Sequence, residues 1–140
     1  MSMPESLETI VNNFKRAPKP LRLQLLLEFS KKVPPLPEGL ESSSMERVHE
    51  CQTPFFLATN LADGNVIMHF DAPAEAPTTR GFAGILSEGL NGLPAEQIAA
   101  VSNDFYTDMG LAEVISPLRL RGMAAIMARL KRQVSEQVVS

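Results

Sequence analysis

Thiols, imidazoles and long apolar runs are scarce in this chain, and each scarcity removes a class of function. There is a single cysteine, Cys51, in 140 residues. One thiol cannot close an internal disulfide, complete a CxxC redox pair or hold a metal cluster alone, so sulfur chemistry must pass through Cys51 and involve a second molecule. A lone cysteine also suits a reducing compartment, where a thiol is used and recycled and not locked into a structural bridge. The two histidines, His49 and His69, lie far apart, and the sequence holds no P-loop string, no GxGxxG fingerprint and no HExxH. Metal-based and phosphate-based functions therefore rank last. No segment approaches the ~20 consecutive apolar residues that a membrane helix needs. The acidic-then-apolar N-terminus does not read as a secretory signal, so the expectation is a cytoplasmic protein without a membrane span.

What is present is ordinary in amount and uneven in placement. A hydrophobic fraction of 44% and a charged fraction of 21% are those of a folding chain, and the length suits one compact domain over residues 1–140. The net charge of −3 gives no electrostatic case for nucleic acid. Residues 1–32 carry six Lys/Arg against three Glu, residues 119–140 carry five against one, and residues 33–118 carry two against twelve Asp/Glu. These charges read either as solvated helix faces or as a docking surface of opposite sign for a protein partner.

Leu7, Ile10, Val11 and Phe14 recur at i, i+3, i+4, i+7 and predict a helix over residues 4–16. A second helix starts at Pro20, with Leu21, Leu25 and Phe29 on one face, and stops before Pro34. Residues 34–50, with their prolines and serines, form a long irregular connection of the kind that is often functional or mobile. From Pro54 to Asp71 the pattern becomes strand, turn, strand, with Asp63-Gly64 as a type I′ turn that sets Ala62 opposite Asn65. One sheet face then collects Leu57, Thr59, Leu61, Val66, Met68 and Phe70, which helices must cover. Helices follow through about Leu90, over 94–101, over 103–109 and from the Ser116-Pro117 pair onward; the last carries Leu120, Met123, Met127, Leu130 and Val134 as a core stripe. This order argues for an α+β fold, an antiparallel sheet of about three strands with helices packed against it. The third strand falls within residues 45–50, which sets Cys51 in a connection between strands.

A working Cys51 needs access and something that favours its thiolate. His49, two residues away, suggests a Cys–His pair, whereas the carboxylate of Glu50 opposes ionisation. Taken alone, Cys51 reads first as a small buried hydrophobe. His69 reads as a strand residue on the polar face. Arg80 and Arg119 each stand near the start of a helix, where the dipole disfavours a cation. Each is either an exposed arginine or a group held for another role, such as pairing with a carboxylate or drawing a thiolate.

The ordered set of VHECQT around Cys51, a hydrophobic hairpin, TTRGFAGIL, DFYTDMGL and ISPLRLRGM resembles the SufE family of cysteine-desulfuration proteins over nearly the whole chain. The family string is often Gly-Cys-Gln-Ser, so Glu50 and Thr53 depart from it, and Glu50 gives up the torsional freedom of glycine. The resemblance implies a sulfur acceptor and activator of a PLP-dependent cysteine desulfurase. Cys51 would take sulfur as a persulfide and pass it to iron–sulfur cluster scaffold proteins, with Arg119 as a supporting charge. It implies no cofactor of the chain's own and turnover only with partners. The alternative is an adaptor that stimulates a partner while Cys51 stays structural. A cluster scaffold is disfavoured, since one cysteine and two separated histidines offer too few soft ligands.

Overall fold

In a computed structural model that describes residues 3–139, the elements run helix, helix, three strands, then helices. They are α1 (Glu5–Arg16), α2 (Lys19–Ser30), β1 (Glu46–Arg47), β2 (Phe56–Ala62), β3 (Asn65–Asp71), α3 (Pro77–Gly89), α4 (Ala95–Ala99) and α5 (Pro117–Val139). The strands form one antiparallel sheet in the order β1-β2-β3, so the α+β architecture read from the sequence is the one observed.

The hairpin obeys the local rule. Asp63 and Gly64 both take positive φ, 55° and 82°, and Ala62 pairs with Asn65. That register puts Leu57, Val66, Met68 and Phe70 in the core, while Thr59 and Leu61 are half-buried on the same face. Thr59 is covered by α5, where its hydroxyl lies 2.9 Å from Gln133 Oε1 and its carbonyl accepts from Gln137 Nε2 at 2.7 Å. His69 pairs with Ala58 on the opposite face.

The central helix is α3, which buries Thr78, Thr79 and every residue from Gly81 to Leu86. Such a helix is apolar all round because neighbours enclose it. On one side it meets α2 so closely that a Cβ on Gly84 would run into the carbonyl of Phe29. On another, Phe82 stacks on Phe105 at 5.7 Å and meets Tyr106 edge-on at 5.9 Å. The Tyr106 hydroxyl then donates to the Leu120 carbonyl of α5 at 3.1 Å, so α3, the 105–109 segment and α5 form one block.

Three expectations need correction. Residues 105–109 form a 3₁₀ helix, not an α-helix, and end at Gly110 with φ 72°. In α2 the fully buried residue is Leu26, and Leu21, expected inside, is 48% exposed. Six leucines and phenylalanines in twelve residues leave no clear apolar phase for the sequence to show. The 34–50 connection is also less free than its composition suggests: Ser42–Ser44 make a 3₁₀ turn, Met45 and Val48 are buried, and β1 is only two residues long.

Candidate functional site

Val48 and Phe55 are both fully buried, and the Val48 amide donates to the Phe55 carbonyl at 2.8 Å. That bond continues the β1–β2 pairing by one step and closes the loop between them. Residues 49–54 project beyond it, with the chain turned back by a Cys51 N–H to Val48 C=O bond of 3.2 Å. Cys51 sits in this loop and is 6% exposed.

The thiol lies against α5 at Gly122. A Cβ placed there would stand 3.3 Å from Cys51 Sγ and 3.9 Å from its Cα, tighter than an ordinary contact. Glycine inside a helix costs about 1 kcal/mol relative to alanine; here it admits the thiol. Gly122, Leu118 and Arg119 from the start of α5, Thr79 from the first turn of α3, and Glu50 to Thr53 of the loop line a cavity of about 30 Å³ beside the sulfur. That exceeds the roughly 10–15 Å³ that one water needs, so the cavity admits an atom of that size beside Sγ.

Burial pushes the Cys51 thiol from 9.0 up to about 11; the Glu50 carboxylate adds to the rise and the Arg129 guanidinium opposes it. At neutral pH the resting group is a thiol, with roughly one molecule in ten thousand ionised.

Arg129 holds the loop from outside. Its Nη2 donates to Glu50 Oε1 at 2.7 Å, and its Nη1 donates to Glu46 Oε2 at 2.9 Å. One fork thus ties α5 to β1 and to the residue beside Cys51. Arg132 also pairs with Glu46, whose other oxygen accepts from Gln133 Nε2 at 2.8 Å. Burial raises the Glu46 carboxyl, but the bonds from Gln133, Arg132 and Arg129 outweigh it and hold the group below its usual 4.5. Glu50 is lowered too, by a backbone hydrogen bond and then by Arg129.

The candidates picked from sequence separate cleanly. Arg119 is brought to the cavity that contains Cys51. His49 is exposed and is not among the lining residues. Arg80 is a brace: its Nε donates to the Ser30 carbonyl at 2.9 Å and its Nη1 to the Ala72 carbonyl, which binds α2 to the β3–α3 connection. Gly122 and Arg129 were missed. A glycine inside a helical stripe is itself a signal of close approach, whereas nothing local marks Arg129 among the charges of α5.

A lone thiol, buried on a loop and floored by a helix glycine, is the feature around which the site is built. Comparison with known proteins gives the family. The model described as "SufE: Fe-S metabolism associated domain" matches residues 8–134. An uncharacterised SufE-like protein of Mycobacterium tuberculosis is 54% identical over 136 residues, covering 96% of this chain and 95% of that one. The cysteine desulfuration protein SufE of Plasmodium vivax is 30% identical over 110 residues, covering 77% of this chain and 43% of that one. A solution structure of a hypothetical protein from Thermus thermophilus superposes with a TM-score of 0.88 at 47% identity, with 99% of each chain covered. The chain belongs to the SufE family. Among the described residues, no helix is long and apolar enough to cross a membrane.

Proposed function

We propose that this protein accepts sulfur on Cys51 from a PLP-dependent cysteine desulfurase, stimulates that enzyme by doing so, and delivers the sulfur to iron–sulfur cluster scaffold proteins. The observation that carries the reading is the cavity of about 30 Å³ beside a sulfur that is only 6% exposed. It has room for a further sulfur atom beside Sγ.

The transfer is a thiol–persulfide exchange. Once the loop has delivered it, the Cys51 thiolate attacks the outer sulfur of the persulfide on the desulfurase cysteine. A new S–S bond forms at Cys51, the old S–S bond breaks, and the desulfurase cysteine leaves as a thiolate. One sulfane sulfur moves and no electrons are gained or lost overall. The proton shed by Cys51 on ionising goes to solvent or to the departing thiolate. Arg119, at the cavity wall, supports the anion. With one cysteine in the chain, the cargo cannot be lost to an internal disulfide. A reducing cytoplasm suits this chemistry.

The test is intact mass spectrometry after incubation with a desulfurase and free cysteine. The expected result is a gain of one sulfur atom that reduction removes and that Cys51→Ser lacks. If Cys51→Ser stimulates the desulfurase as fully as the parent chain, the protein is an adaptor and the carrier reading fails.

A further inference from the structure

We propose that Arg129 is a positioning residue for the thiol: its fork across Glu46 and Glu50 is the latch that keeps the Cys51 loop closed, and a docking partner opens the site by drawing Glu50 off it. The role deepens the carrier reading and rests on it for its purpose, but not for its measurement.

The geometry separates the latch from the scaffold. Glu46 belongs to β1 and is held three ways, by Arg129, Arg132 and Gln133. Glu50 lies past the closing Val48–Phe55 bond, and its side-chain tie is to Arg129 at 2.7 Å. Releasing Glu50 thus leaves β1 fastened to α5 through Glu46, while the 49–54 tip loses its charged anchor. Gly122 and Arg129 are seven residues apart, two turns of the same helix face. α5 therefore grips the loop at two points: a close contact under the sulfur and an ion pair beside it. Glu50 is half-exposed, with 49% of its side-chain surface accessible, so a cation on a partner can reach it.

Two accounts of Arg129 predict opposite signs. A guanidinium that acted only through its charge would lower the thiol's pKa, so its removal would slow reaction of Cys51 at a given pH. A latch that is removed opens the loop and speeds it. The measurement is the rate of iodoacetamide alkylation of Cys51 in the full chain, followed from pH 7 upward. For Arg129→Gln the expected rate is about three- to tenfold above the parent, the range of a partly buried charge-assisted pair. Arg129→Lys is the second variant, since it keeps the charge but loses the fork: it is expected to be about threefold faster, against no change for a purely electrostatic role. The rise in Arg129→Lys should come with an unchanged pH midpoint of alkylation, and both rises should exceed whatever the urea-unfolding free energy of each variant accounts for. An unchanged or slower rate, or a rise no larger than the loss of global stability explains, overturns the latch. Because alkylation needs no desulfurase, a chain that refuses sulfur would sink the carrier reading and leave this result standing.

Discussion

Two connections flank β2, and they are built by opposite means. The β2–β3 turn takes its shape from its own two residues: Asp63 and Gly64 supply the positive φ values that a type I′ turn demands, and the Ala95 amide donates to the Gly64 carbonyl at 3.2 Å from outside. The β1–β2 loop closes on a buried Val48–Phe55 bond, but its tip is shaped by α5 through Gly122 and Arg129, which lie far along the chain. A turn encoded locally stays shut whatever its surroundings do. A loop held by tertiary contacts can be let go without disturbing the sheet, which is what a thiol that must travel requires.

The sharpest way to break the comparison is to insert side chains at the two glycines. Gly122→Val drives methyl groups into Cys51, at a cost on the scale of about 1–3 kcal/mol for overpacking, and should raise Cys51 alkylation about ten- to a hundredfold by expelling the tip. Gly64→Ala meets no neighbour but forces a side chain into positive φ. It should cost about 1–2 kcal/mol in urea unfolding and leave Cys51 alkylation unchanged beyond that loss. If Gly64→Ala exposes the thiol as much as Gly122→Val does, the loops are not independent.

A second effect comes from pH. Closing the loop protects a thiol whose pKa is raised from 9.0 to about 11, so closure favours the neutral form. That contribution is fully present below pH 9.0 and is lost as pH climbs toward 11, by up to about 2.5 kcal/mol. The alkylation rate should keep rising steeply to about pH 11, where an exposed cysteine levels off near 9.0. Stability of Cys51→Ser should lack the alkaline fall between those values. A rate that levels at 9.0 in the parent chain would mean an open loop.

The smallest effect belongs to β1. Glu46 has its carboxyl lowered in the folded chain, so its contribution is present above 4.5 and disappears as pH falls through the depressed value. Glu46→Gln should cost about 1 kcal/mol or less at pH 7 by urea titration, and nothing in acid well below 4.5.

Legibility followed the same divide. Hairpin register, core face and the stripe of α5 were readable because each is set by residues close in sequence. Cys51 and Arg119, named from the sequence, share a cavity. Strand β1 was expected over 45–50 but ends at Arg47, because the chain turns back at Cys51 toward Val48. Arg80 drew notice for an unfavourable place in its helix, yet the penalty is met by carbonyls of Ser30 and Ala72 that no local pattern reveals. Arg129 escaped notice for the same reason, since its carboxylate partners lie 79 and 83 residues away. Glu50 was read as a brake on the thiol; in the fold Arg129 offsets part of its charge.

The most direct test of a releasable shelter for the added sulfur is the rate at which a soluble phosphine strips it from the loaded chain, folded and in urea. The folded chain should lose it at least about tenfold more slowly, and Gly122→Val should erase most of that protection. Equal rates in the folded and unfolded chain would contradict the account.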